Sequence, residues 1–222
     1  MKMKFLGSRK VAEQAHSFRF EKSAGFTYMA GQFVELTLPH DNPDDRGTKR
    51  WFTLSSSPTE DHLAVTTKIF QKPSTFKAAL SSLTPGDKVE ISQPMGDFVL
   101  PRNQRRPVLF VAGGIGVTPY RSMCQFLRDK HEDRRVTLLY AAKNEADFAF
   151  LDLFEETTRL EKHMGALDAD VIKARAEAMG DPSVYISGPE PLVEKLYDQL
   201  KDDFSQTRLL RDYFPNYSVS ST

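Results

Sequence analysis

The chain has 222 residues and balances 30 basic against 30 acidic side chains, which admits one large domain or two ordinary ones and leaves no global field to draw it to nucleic acid or an anionic membrane. Cys124 is its single cysteine, so an intrachain disulfide and a four-cysteine iron–sulfur cluster in this chain are excluded. No apolar run reaches the length of a membrane span, and the start Met1-Lys2-Met3-Lys4 has no apolar stretch behind its charges, so a cytoplasmic protein is the default expectation.

The first hundred residues read as β structure. Short segments broken by turns predict strands at Lys4–Val11, His16–Glu21, Gln32–Leu38, Trp51–Ser55, Leu63–Phe70 and Lys88–Ser92. In Phe33-Val34-Glu35-Leu36-Thr37-Leu38 the apolar residues alternate as a half-buried strand requires. His40-Asp41-Asn42-Pro43-Asp44-Asp45-Arg46-Gly47 is a loop on turn chemistry alone. Six strands at this spacing predict a small antiparallel barrel. One helix interrupts it, with Ser74 placed to cap Thr75–Leu83.

After Pro101 the period changes. The polar, basic run Arg102-Asn103-Gln104-Arg105-Arg106-Pro107 marks the expected boundary between a domain at 1–101 and one at 102–222. Strand Val108–Ala112 leads through three glycines, Gly113, Gly114 and Gly116, to a helix at Pro119–Lys130, with Thr118 expected as its N-cap. Strand Val136–Ala142 precedes a helix through Phe148, Leu151 and Phe154. Asp168 caps the next helix, with Leu167 and Ile172 placed for a hydrophobic staple. Strand Val184–Ser187 runs into Gly188-Pro189 and an amphipathic helix carrying Leu192, Val193, Leu196 and Leu200, and Arg208–Phe214 is the last strand. This alternation predicts a parallel sheet with right-handed crossovers. Ligands on such sheets sit at the carboxyl ends of the strands, where Gly113–Thr118, Ala142–Asn144 and Ser187–Pro189 fall. A strand, a glycine turn and a helix N-terminus favour an anion, because free N–H groups and the helix dipole point at it.

Arg50-Trp51-Phe52-Thr53, with Ser55-Ser56-Ser57-Pro58 behind it, resembles the Arg-x-Tyr/Phe-Ser/Thr flavin motif of the ferredoxin–NADP reductase superfamily. The order of the other pieces is similar too: a Ser-Thr-capped helix, Gly96-Asp97-Phe98-Val99-Leu100-Pro101, Gly-Gly-Ile-Gly-x-Thr-Pro, x-Gly-Pro and an aromatic tail. The resemblance runs over nearly the whole chain. It implies a six-stranded antiparallel flavin-binding barrel followed by a Rossmann-like nucleotide-binding domain, and hydride transfer from NADH or NADPH to bound FAD, with FMN the lesser choice. Electrons then pass to an acceptor, protein or small molecule, that the sequence leaves unidentified. A subunit with little turnover alone and a non-catalytic nucleotide sensor stay open as alternatives.

The resemblance also assigns residues. Arg50 would hold the flavin phosphate with its planar, always-charged fork. Trp51 lies within the motif, Phe52 would wall the isoalloxazine ring, and the Thr53 hydroxyl would reach its N5. Ser74 and Thr75 would make a second phosphate contact. Taken by type alone, Arg50 suits an exposed strand, Phe52 a barrel core and Ser74 a plain helix cap. In the second domain Gly113, Gly114, Gly116, Thr118 and Pro119 would approach the nicotinamide nucleotide, and Arg121 would either meet a phosphate or face solvent. Lys143 would lie near the adenosine ribose; with neither a carboxylate at Ala142 or Lys143 nor an arginine cluster there, both nucleotides are expected to serve within roughly tenfold of each other. Ser187-Gly188-Pro189 stands where relatives often carry Cys-Gly-Pro. In the tail, Asp212 takes the place of a catalytic acid and Phe214 that of an aromatic covering the other flavin face. His16, His40, His62, His131 and His163 lack metal-ligand spacing, so no metal is expected.

Overall fold

A computed structural model describes residues 1–213; Phe214 and the rest of the tail lie outside the described residues. The barrel strands are β1 Lys2–Lys10, β2 Ala15–Glu21, β3 Phe33–Thr37, β4 Lys49–Thr53, β5 His62–Lys68 and β6 Lys88–Ile91, in the order β4-β3-β6-β1-β2-β5 with antiparallel neighbours. The two ends of this sheet meet where Leu54 bridges Val65 and the Ser55 N–H donates to the Ala64 carbonyl, 2.8 Å. Alternation fills the interior: Met3, Phe5, Phe18, Phe20, Val34 and Leu36 are all buried there. Helix α1, Thr75–Ser81, stoppers the barrel with Phe76 and Leu80, and the Ser74 hydroxyl caps it by accepting the Lys77 N–H as expected.

The second sheet is all parallel, in the order β11-β10-β7-β8-β9, formed by β7 Val108–Gly113, β8 Val136–Ala142, β9 Arg159–Met164, β10 Ser183–Ser187 and β11 Leu209–Asp212. Helices α2 Thr118–Asp129 and α3 Leu151–Thr157 cover one face, and α4 Ala169–Met179 and α5 Glu190–Leu200 the other. Strand β7 serves both: Val108, Phe110 and Ala112 point to the first core, Leu109 and Val111 to the second. Strand order reverses between β7 and β10, which makes the gap beyond their carboxyl ends the topological switch point.

Four details differ from the sequence expectation. The helix expected through Phe148 starts only at Leu151, after Phe150 turns the chain at φ +61°. Strand β9 was not anticipated; Arg159-Leu160-Glu161-Lys162-His163-Met164 carries charges because it is the sheet edge, where charged side chains guard an unpaired ladder. Thr118 is not an N-cap. The turn begins four residues earlier as a 3₁₀ segment over Gly114–Val117 and continues into α2, so Thr118 is already helical and buried. Finally, Phe98 lies ahead of the expected boundary at 101 yet is buried against Tyr120 and Tyr185, with ring centroids 6.1 and 5.1 Å away. The Tyr185 hydroxyl also donates to the Val99 carbonyl at 2.7 Å, so the connecting segment is part of the second core.

Candidate active site at the domain junction

The expected phosphate residues Arg50, Ser74 and Thr75 are brought together. Arg50 is the second residue of β4 and is buried, with Phe76 of α1 under its guanidinium at 5.1 Å. Nη1 donates to the carbonyls of Arg46, Gly47 and Lys49, and Nη2 donates to Asp44 Oδ1 at 2.5 Å. Asp44 also donates its N–H to Thr75 Oγ1, whose other neighbour is His40 Nε2 at 3.1 Å. The loop after β3 thus folds an anionic oxygen into the guanidinium fork beside the start of α1. Burial alone would raise the Asp44 carboxyl; hydrogen bonding and charge from Arg50 pull it below its usual range. A phosphate oxygen makes the same charge-assisted contact as this carboxylate, so the cluster fits a phosphorylated cofactor.

Strand parity decides the rest of the motif. Arg50 and Phe52 pair with Leu36 and Val34, both interior, so they share the inward face while Trp51 points out. Phe52 is therefore packed on Phe76 at 5.9 Å within the barrel core, the place its residue type suits, whereas the resemblance implied a wall against the flavin ring. Trp51, 47% exposed and 6.1 Å from the Phe33 ring, is the motif's accessible aromatic. Thr53 is buried at the end of β4, directly before the Ser55–Ser57 segment that docks on the second domain.

The three glycines do different work. A Cβ on Gly116 would lie 2.3 Å from the Ser187 carbonyl oxygen and 2.5 Å from the Gly188 nitrogen, and one on Gly113 would lie 2.4 Å from Leu192 Cδ2. Both hold the turn after β7 tightly against the turn Ser187-Gly188-Pro189 after β10. Gly114 alone opens outward. Its φ is +54°, a left-handed conformation that disfavours side chains, and its missing Cβ faces only the Lys68 ammonium, at 3.8 Å. Pro119 sits in the first turn of α2 as expected, and Lys143 is exposed just past β8. Near it Glu145 forms an ion pair with Lys162.

Two junction features had no local signal. Lys68, the last residue of β5, reaches from the barrel to the glycine turn and to Asp147, 3.8 Å away. Arg121, in the first turn of α2, neither faces solvent nor stays free for a phosphate. It chelates the Glu60 carboxylate with both terminal nitrogens, the Nη2–Oε1 contact being 3.0 Å, and donates to the Ser55 carbonyl at 3.0 Å. Ser122 adds a 2.5 Å bond to the Ser56 carbonyl, and Thr59 donates to Asp129 at 2.5 Å. Together these bonds set the motif strand against helix α2.

Asp212 closes the row at the carboxyl end of the sheet. It pairs in register with Ser187, which pairs with Ala112. Burial first, and the Asp97 carboxylate second, push the Asp212 carboxyl up to about 6. Because the folded-state value is raised, the folded form holds this proton more tightly than the unfolded chain. Its stabilisation is full below the ordinary carboxylate range and is lost as pH rises through about 6. Asp212→Asn is therefore expected to match the parent in urea unfolding at pH 4 and to exceed it by roughly 1–3 kcal/mol at pH 8. Equal differences at the two pH values would show that Asp212 titrates normally. Phe214, the expected flavin cover, lies outside the described residues.

Residues 110–197 match the family model described as Oxidoreductase NAD-binding domain. Flavohemoprotein A of Dictyostelium discoideum is 30% identical over 224 residues, a match that takes in 88% of this chain and 56% of that protein. DmpP, the reductase component of phenol 2-monooxygenase of Pseudomonas sp. (strain CF600), is 28% identical over 187 residues, covering 75% of this chain and 52% of that one. The chain thus spans little more than half the length of these relatives. Among solved structures, the ferredoxin-NADP+ reductase from Plasmodium falciparum shares the fold with a TM-score of 0.80 at 18% identity, over 96% of this chain and 95% of that chain. The Amycolatopsis cytochrome P450 reductase GcoB also gives 0.80, at 22% identity, over 96% of this chain and 70% of that one. An antiparallel barrel, a glycine turn at the switch point of a parallel sheet and these matches give the chain the fold of the ferredoxin-NADP+ reductases, with an oxidoreductase NAD-binding domain matched over residues 110–197.

Proposed function

We propose that the chain is an NAD(P)H-dependent flavin oxidoreductase that binds FAD on the barrel and a nicotinamide nucleotide on the parallel sheet. The observation that carries this reading is the meeting of the two sites. The open glycine turn at Gly114 lies against Lys68, the end of a barrel strand, while the strand bearing Arg50 and Thr53 is tied to α2 through Ser55 and Ser56. Transfer between two bound cofactors needs such an alignment, and fixed geometry supplies much of the rate. When bound, FAD accepts a hydride from the nucleotide and releases electrons singly or in pairs. The protein's part is to hold and shield. Arg50, Ser74 and Thr75 bind phosphate. Thr53 supplies a hydroxyl at the junction, and the turn at Gly114 and Ser187–Pro189 admits the nucleotide. DmpP, the Pseudomonas relative, is a reductase component, which favours an acceptor on a separate protein.

The test is spectroscopic. Protein reconstituted with FAD should be yellow with one flavin per chain, and NADH or NADPH should bleach it anaerobically. A protein that takes up neither FAD nor FMN refutes the reading. Arg50→Ala should weaken FAD binding by roughly 2–4 kcal/mol, since it leaves phosphate charge unpaired. Asp44→Ala should act in the opposite sense. It strands the buried Arg50 and lowers the melting temperature of the flavin-free protein, but removes the internal competitor for the fork, so added FAD should raise the melting temperature more than in the parent.

A further inference from the structure

A cavity of about 300 Å³ lies in a groove between the barrel and helix α2, lined by neither the glycine turn nor Arg50. Its barrel wall carries Arg9 of β1 and Arg19 of β2, and its other wall carries Arg121 and Arg128 of α2. Glu60 is the one carboxylate that lines it among the described residues. The lining therefore sets four arginines against one carboxylate, in a chain whose overall charge is zero.

The arginines are also unequally partnered. Glu60 is spent on Arg121. Arg128 pairs with Glu156, which stands outside the lining, and donates to Gln125 at 2.9 Å. Arg19 lies 3.3 Å from the ring nitrogen Nδ1 of His62, which is itself 2.8 Å from Asp61, and its charge acts on that exposed carboxylate. Arg9 makes no ion pair or side-chain hydrogen bond among the described residues. Guanidinium groups gathered in one groove repel each other, and an anion placed between them relieves that repulsion where the walls limit screening. Their planar forks match the oxygens of phosphate and carboxylate. The lining is polar apart from Phe150, whose ring lies 5.8 Å from the Arg121 guanidinium, and Ala64, so an apolar ligand finds little surface.

We propose that this groove binds a small ligand bearing two anionic oxygen groups and that the ligand ties the barrel to the nucleotide domain through arginines of each. A diphosphate and a dicarboxylate share this chemistry. Neither the expected flavin residues nor the glycine turn lines the groove, so the site is separate from the proposed redox site.

Calorimetric titration of the full chain at fixed ionic strength, with sodium pyrophosphate in one arm and disodium succinate in the other, tells the two chemistries apart. At least one should bind at one site per chain and raise the melting temperature. The doubly substituted Arg9→Ala, Arg19→Ala protein should lose at least tenfold in affinity; both side chains are exposed on strands, so the barrel should persist. Arg128→Gln tests the same site from the other wall, and Arg105→Ala, in the exposed linker, should change nothing. Three results would overturn the proposal: no binding of either anion once ionic strength is fixed, undiminished binding in both groove variants, or loss of binding when NADPH is saturating, which would place the anion in the nucleotide site.

Discussion

Gly116→Ala is expected to unfold the nucleotide site, and Gly114→Ala only to close it. The two positions are two residues apart and both belong to the turn after β7. At Gly116 a single methyl group would lie 2.3 Å from the Ser187 carbonyl oxygen and 2.5 Å from the Gly188 backbone. These are main-chain atoms of a central strand end, so no flexible side chain can give way. Either β10 separates from β7 at its carboxyl end or the turn is expelled. Such overpacking costs roughly 2–4 kcal/mol, which for a chain of this size lowers the melting temperature by about 5–15 °C. At Gly114 nothing but the Lys68 ammonium group stands near, and the cost is that of placing a side chain at φ +54°, about 1–2 kcal/mol. The folded Gly114→Ala protein should keep its flavin and melt within a few degrees of the parent, yet be reduced more slowly by nicotinamide nucleotide. Thermal unfolding paired with anaerobic reduction reads both effects. If Gly116→Ala melts like the parent, the close contact between the two turns is wrong.

That contrast also marks how far the sequence could be read. A glycine run after a buried strand declares a turn that approaches something closely, but not which glycine meets a ligand and which meets the neighbouring strand. Deciding that needs the position of Ser187-Gly188, more than seventy residues away. Elements with a strong period were legible: the alternation in Phe33–Leu38 and the apolar run at 108–112 became β3 and β7. Strand β9 was not, because an edge strand carries charge at positions where a central one carries apolar residues. The Arg50 motif suggested a phosphate site, and Arg50 is linked through Asp44 to Thr75, next to the Ser74 cap of α1. It could not announce that strand parity turns Phe52 inward and Trp51 outward. Lys68 and the Arg121–Glu60 pair were invisible for a simpler reason. Their partners lie on the other domain, 61 residues away in the case of Glu60, and an isolated arginine in a first helical turn carries no signal of what it will face.

Arg121→Leu is expected to loosen the two domains from each other and to slow reduction without removing either binding site. The pair it breaks is largely buried, with side chains 12% and 17% exposed. Burial by itself would raise the Glu60 carboxyl, but the hydrogen bonds and charge of Arg121 hold it below its usual range, and the Ser57 N–H and His62 act in the same direction. Removing Arg121 leaves that carboxylate in the junction with the Ser57 N–H, 2.7 Å away, and the His62 ring, 4.0 Å away, and also frees the Ser55 carbonyl. The penalty is roughly 2–4 kcal/mol, mostly the desolvation of a stranded charge and not the loss of a favourable pair. Two consequences separate this account from a general weakening. First, the double variant Arg121→Leu, Glu60→Leu should recover much of the stability lost in Arg121→Leu alone, because it removes the stranded charge. Second, the pH dependence should change. A carboxyl lowered in the folded state stabilises above its unfolded value and loses that contribution as pH falls through the folded one. The parent should therefore lose stability towards acid pH more steeply than Arg121→Leu, in which Glu60 titrates nearer its ordinary value or above it. Flavin and nucleotide affinities, measured separately, should stay within a few-fold, since neither Arg50 nor Gly114 touches the pair. The rate of flavin reduction should fall by tenfold or more, because the Ser55–Ser57 segment that follows Thr53 then keeps its Ser122 bond to α2, with Thr59 beyond it on Asp129, but loses the Arg121 clamp. A variant with parent-like reduction kinetics, but with the expected loss of stability, would confine Arg121 to a structural role and leave the alignment of the two cofactor sites to Lys68 and the packed segment at Phe98.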